Sequence, residues 1–317
     1  MRNWPASTRT TEHIALLATR CNPFDSAKRR LKMFDSKTLR HGISMVLALA
    51  TTAVSVAAQA ETTLERAMHT GTIRIGFANE APYGYADMDG NVTGEAPEVA
   101  KAVLHKMGIK NVVGVLTDFG SLIPGLQAGR FDIIAAGMAV TPPRCQQILF
   151  SEPSYGMGEA LLVKKGNPDN MKDFQSVAAK PNTKLAVMAG TVEVGYAEQS
   201  GVKPNQLVQL SDQPSLVSAV QTGRADAAAL TALSINNMAQ KADGVQATAP
   251  FQSVNNNSVT SHGAFGFRKS DKDLRDAFNK TLVPFIGSSE HLSLVTPFGF
   301  GKGFLPTQKT EQICSGP

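Results

Sequence analysis

The chain has 317 residues, 42% hydrophobic and 18% charged, enough to build two lobes of ordinary domain size and too apolar for disorder beyond residue 61. Its net charge of +5 does not indicate a nucleic-acid partner: of 31 Lys/Arg and 26 Asp/Glu, nine and three fall in the first 60 residues, leaving 22 against 23. No Ser/His/Asp or Cys/His arrangement and no phosphate-cradling glycine loop is present, and His69, His105, His262 and His291 have no paired spacing, so neither a catalytic set nor a metal site is expected.

Residues 1–60 read as an upstream extension followed by a cleavable signal peptide. Lys37 and Arg40 precede an uncharged stretch over 43–57, and Ala58-Gln59-Ala60 fits the small-x-small cleavage pattern, so the mature chain is expected to begin near Glu61. The stretch is shorter than the ~20 residues that span a bilayer. Residues 1–32 lack periodicity, which makes Met33 a more natural start than Met1. Of Cys21, Cys145 and Cys314 the mature chain keeps two, which form one bridge in an oxidising compartment or remain two separate thiols.

From residue 61 the pattern alternates helices and strands. A helix is expected over 62–69, then the Gly71 turn and a strand over 72–77 that meets the loop Asn79-Glu80-Ala81-Pro82-Tyr83-Gly84-Tyr85. Asp89-Gly90-Asn91 predicts a hairpin turn between Tyr85 and Val92. Glu95-Ala96-Pro97-Glu98 opens a helix to about Met107, with proline early and carboxylates in its first turn. A strand over 114–117 precedes a helix over 121–127 that Ser121 can cap and the Gly129 turn closes. The strand 131–136 is apolar on both faces, as buried parallel strands are. Gly137 to Thr141 leaves its carboxyl edge, where open α/β sheets place ligands, which makes Arg144 a candidate ligand contact.

Further strands are expected over 159–164 and 262–268. Between them come helix 173–179, strand 184–188, turn Ala189-Gly190-Thr191, helix 192–199, strand 206–210, helix 214–223, strand 225–230 and helix 233–241. Such alternation builds a parallel sheet covered on both faces. Gly190-Thr191 before a helix either seats a carboxylate on backbone N–H groups or merely caps the helix.

Leu126, Gly129, Asp132, Thr141 and Arg144 fit the pattern L-x-x-G-x-x-D-x-x-x-x-x-x-x-x-T-x-x-R, and by it the chain resembles the solute-binding proteins of ABC importers for polar amino acids, over about 62–306. The stretches GFANEAPYGY, GEAPEVAK, CQQILFS and ALTALSIN are similar to those of the ectoine/hydroxyectoine binders in that family. The resemblance implies an α/β, two-lobed type II periplasmic binding protein, each lobe a mostly parallel sheet flanked by helices, joined by the two crossing strands 159–164 and 262–268. Lobe one is then 61–160 plus 262–317 and lobe two 161–261, with hinges near Ala160-Leu161 and Phe265-Gly266. It also implies a carrier rather than an enzyme, without cofactor, monomeric and periplasmic. Its implied partners are a small zwitterionic solute and an ABC permease in the inner membrane.

For the site, the resemblance implies that Thr141 and Arg144 hold a carboxylate opposite Gly190 and Thr191. Where amino-acid binders carry Asp beneath the α-ammonium, this chain has Thr231. A compact ammonium buried without a carboxylate loses more hydration than one hydroxyl returns, unless Glu80 takes over the role. A solute whose positive charge is spread over a ring, such as ectoine, fits better. Tyr83 and Phe119 match aromatic positions of the ectoine cage, whose third aromatic lies near Gly137-Met138 in those binders, and Glu80 would accept a ring N–H. Ala139 stands where those binders carry a third aromatic, with Tyr155 or Phe77 as substitutes, or a wider pocket for another cyclic or methylated solute. The alternatives are a polar amino acid binder and a periplasmic dehydratase that would use Glu80 or Glu159 as its acid.

Overall fold

A computed structural model describes residues 61–316; the expected signal segment and Cys21 lie outside them. In chain order the strands are β1 (Thr72–Phe77), the hairpin β2 (Tyr85–Ala86) and β3 (Val92–Thr93), β4 (Asn111–Leu116), β5 (Ile133–Ala139), β6 (Leu149–Phe150) and β7 (Tyr155–Met157). Then come β8 (Glu159–Lys164), β9 (Leu185–Met188), β10 (Leu207–Leu210), β11 (Ala227–Thr231), β12 (Val245–Ala247), the hairpin β13 (Ser253–Val254) and β14 (Asn257–Ser258), and β15 (Ser261–Phe267). The protein is an α/β fold of two sheet-containing lobes: one sheet is ordered β4-β1-β5-β15-β6 with β7 also on β15, the other β10-β9-β11-β8-β12.

Each sheet has a parallel half and an antiparallel half, for a topological reason. β4, β1 and β5 run parallel, as do β10, β9 and β11, because helical connections carry the chain back over the sheet between them. β8 and β15 instead arrive directly from the other lobe and pair antiparallel with β11 and β5. The chain therefore crosses at Gly158 and returns through Val259 and Thr260. This corrects the expected hinge positions. Ala160 and Leu161 pair with Leu230 and Ala229, and Gly266 pairs with Ile134 and Phe150, so ladder bonds hold all of them in place.

Local chemistry explains the elements that carry the site. Residues 131–136 are fully buried, as their apolar run requires, but β5 continues to Ala139 because β15 pairs with Met138 and Ala139. Gly137 sits in this extension with φ +66°, and a Cβ there would fall 2.6 Å from the Tyr83 ring. Ser121 does not cap; it ends a 3₁₀ turn, Phe119–Ser121, with helical backbone angles and passes straight into the helix Leu122–Gln127. The tight loop at Glu80 is closed by reciprocal bonds between the backbones of Glu80 and Gly84, and the first amides of the helix Glu95–Lys106 donate to the carbonyls of Pro82 and Tyr83.

Two features fasten the first lobe. The buried carboxylate of Asp132 accepts from Arg66, Arg74 and Arg268 at 2.8–3.2 Å, tying the helix Thr63–Thr70, β1 and the segment after β15 together. A disulfide joins Cys145 to Cys314 and so clamps the C-terminal helix Thr310–Cys314 onto the helix Pro142–Gln147.

Candidate functional site

A cleft between the lobes is lined by Glu80, Tyr83, Phe119, Gly137, Ala139, Arg144, Tyr155, Thr191, Val192, Glu193, Thr231 and Ser261. Of the residues expected from sequence, Glu80, Tyr83, Phe119, Gly137, Arg144, Thr191 and Thr231 come together here. Thr141 and Gly190 are not among the lining residues. Thr141 caps the helix Pro142–Gln147, its hydroxyl accepting from the Arg144 amide at 3.4 Å, while Gly190 lies exposed at the rim.

Arg144 spans the cleft. Its guanidinium donates to the Ala139 carbonyl at 2.6 Å and to the Gly190 carbonyl at 2.8 Å, and lies 5.7 Å from the centre of the Phe119 ring. Two of its five N–H donors are thereby engaged with described residues. Burial pulls its pKa below the usual guanidinium range, opposed by the negative field of Glu193. The Gly190-Thr191 turn differs from the expected N–H seat. The Thr191 amide donates to the Met188 carbonyl, and it is the Gly190 carbonyl, not an amide, that faces Arg144.

Three buried carboxyls share this space. Glu80 accepts from the Ser234 hydroxyl at 3.0 Å; burial, reinforced by Glu193, lifts its pKa to about 8. Glu193, in the first turn of the helix Val192–Gln199, is raised by burial and partly offset by the Thr191 hydroxyl, which also lies 2.8 Å from the Met188 carbonyl. Glu159, the first residue of β8, is raised well above the carboxylate range by burial and by Glu193, and accepts from the Ser261 hydroxyl at 2.9 Å.

The aromatic side is a packed cluster rather than a row of free faces. Tyr83 lies 5.1 Å from Tyr155 and 5.3 Å from Phe300 between ring centres, and the Tyr155 hydroxyl donates to the Gly137 carbonyl at 2.7 Å. Tyr155 lines the cleft along with Tyr83, Phe119 and Ala139, while Phe77 is buried outside the lining. The hydroxyls of Tyr83 and Thr231 are buried near each other, and neither has a well-formed hydrogen bond among the described residues. Sequence reasoning missed Glu193, Ser261 and Val192, and placed Glu159 only as an acid for a different activity. A Glu in a first helical turn reads as a dipole partner, and its burial in the cleft is set by the fold.

Three comparisons bear on this geometry. Residues 73–296 match the family "Bacterial extracellular solute-binding proteins, family 3". A probable amino-acid ABC transporter periplasmic-binding protein of Sinorhizobium fredii is 41% identical over 260 residues, 80% of this chain and 86% of that one. The crystal structure of EhuB in complex with hydroxyectoine has a TM-score of 0.75 at 34% identity, over 81% of this chain and 99% of that one. An ancestral amino acid-binding protein described as a precursor of cyclohexadienyl dehydratase has a TM-score of 0.66 at 29% identity, over 75% and 99%.

Proposed function

Because the chain belongs to the bacterial extracellular solute-binding proteins, family 3, a family of binding proteins rather than enzymes, we propose that it is the periplasmic solute-binding component of an ABC importer for a small zwitterion such as ectoine or hydroxyectoine. It works as a monomer that closes its two lobes, joined at Gly158 and at Val259-Thr260, over the solute and presents the closed form to an inner-membrane permease. The observation that carries this reading is a single partly buried guanidinium with unused donors across from a buried Glu80 and aromatic walls. Arg144 takes the solute carboxylate by charge-assisted hydrogen bonds, supported through Thr141, with Gly190 and Thr191 on the facing lobe. Tyr83, Phe119 and Tyr155 enclose a ring that spreads its positive charge, and Glu80 receives its N–H. Thr231 leaves no carboxylate at the end of β11 for a primary ammonium.

A polar amino acid is the second reading, favoured by a specific finding: Glu193 and Glu159 add carboxyls beside the cleft that the sequence argument did not count. Either carboxylate solute depends on Arg144. Arg144→Ala should weaken binding by about 100-fold or more, from two charge-assisted bonds of ~1.5–3 kcal/mol each, with an unchanged fold by circular dichroism. A thermal-shift screen of ectoine, hydroxyectoine, proline, glycine betaine and polar amino acids, followed by calorimetry, separates the readings. Tightest binding of an α-amino acid would replace the first by the second, and turnover of prephenate or arogenate would replace both by a dehydratase.

A further inference from the structure

The carboxyl oxygens at the back of the cleft are incompletely partnered. Glu159 and Glu193 are 0% and 2% exposed and lie within hydrogen-bond reach of each other, yet one oxygen of each, Oε2, has no donor among the described residues. Two ionised carboxylates only accept, so both oxygens stay unsatisfied and the two charges repel; one proton placed between them satisfies both. The other titratable groups facing the pair are Glu80 on its loop, Arg144 on the helix Pro142–Gln147, Tyr83, Tyr155 on β7 and Tyr196 on the helix Val192–Gln199. The tyrosines Tyr83, Tyr155 and Tyr196 are pushed further up by burial, so Arg144 is the only cation among these groups.

We propose that Glu159 and Glu193 hold one proton between them and that this acid pair reads the hydrogen-bond-donating cationic end of the solute. Glu193, which lines the cleft, is the specificity-determining residue, and Glu159, held by Ser261, is the positioning residue. The proposal rests on the solute-binding reading of the cleft and deepens it. A pair with one proton carries one negative charge, which balances Arg144 and leaves room for a solute of no net charge. It favours cations that carry N–H donors over quaternary ones, which have none to offer.

The pair is tested without any solute by counting protonated carboxyls from the infrared C=O band at pH 7 in the wild type, Glu159→Gln, Glu193→Gln and the double variant. Sharing predicts the loss of one protonated carboxyl in each of the three variants, because the remaining carboxylate accepts from the new amide. Loss of none, or of two in the double variant, overturns the pair. Calorimetry then compares ectoine with glycine betaine as probes. Glu193→Gln should narrow the preference for ectoine about tenfold, and Glu95→Gln, a buried carboxyl in a separate cavity, should leave it unchanged. An unchanged preference in Glu193→Gln overturns the specificity role. Failure of the wild type to bind any screened solute removes both that role and the solute reading, while the carboxyl count still decides the pair.

Discussion

Glu80 shows how a single side chain links the site to the stability of the fold. Folded, it keeps its proton to about pH 8; unfolded, a glutamate releases it near 4.5. Between these values the folded state binds more protons than the unfolded one, so Glu80's contribution is complete below about 4.5 and is lost as pH rises through about 8. Glu80→Gln removes this term but keeps a group able to bond Ser234. Urea unfolding at pH 5, 6.5 and 8 should show a flatter decline in the variant, by on the order of a few kcal/mol across the range, and an unchanged slope would count against a protonated Glu80. The place of Arg144 in the cleft was legible in the sequence because a spaced motif fixes it at the carboxyl edge of an apolar strand, whereas Thr141, named by the same motif, caps the helix outside the lining. Glu193 and Ser261 were not legible, because their roles depend on which surfaces two separately folded sheets turn toward each other.

At the scale of elements, the helix Pro142–Gln147 carries the principal cation of the cleft but buries none of its own residues. Its position rests on the Thr141 cap and on the disulfide from Cys145, the residue after Arg144, to Cys314, 169 positions away. Closing so long a loop restricts the unfolded chain strongly, so Cys145→Ser/Cys314→Ser should lower stability by about 2–5 kcal/mol in a denaturant titration. The same variant should weaken solute binding, because the arginine loses a fixed platform; unaltered affinity would place the whole effect in the unfolded state. The strand and helix alternation of both lobes was readable from periodicity, and so was the hairpin after Tyr85. The extension of β5 to Ala139 was not, because it comes from pairing with β15, more than a hundred residues downstream. The hinge positions were misplaced for the same reason: β8 and β15 read as strands in sequence, but the partners that bind them into one lobe's ladder each are set by the fold.

For the molecule as a whole, the proposed closure rests on contacts of two kinds, some made by residues that read the solute and one made outside the cleft. Gln213 donates to the Ala81 carbonyl at 2.8 Å, Ser234 to Glu80, and Arg144 to the Gly190 carbonyl, each bond joining the two lobes across the cleft. Gly190 packs so closely on Gly120 that a Cβ there would lie 2.6 Å from the Gly120 Cα. Gln213 is not in the cleft lining, so its bond stabilises the closed form whichever solute is inside. Gln213→Ala removes about 1 kcal/mol from closure, and since a solute's apparent affinity scales with the closed population, every solute should bind roughly fivefold more weakly by the same factor. Glu193 variants instead change the ratio between solutes. Calorimetry of two chemically different solutes against both variants therefore distinguishes closure from recognition: a solute-dependent loss in Gln213→Ala would mean that this glutamine touches the ligand, and equal losses in Glu193→Gln would make Glu193 a closure residue.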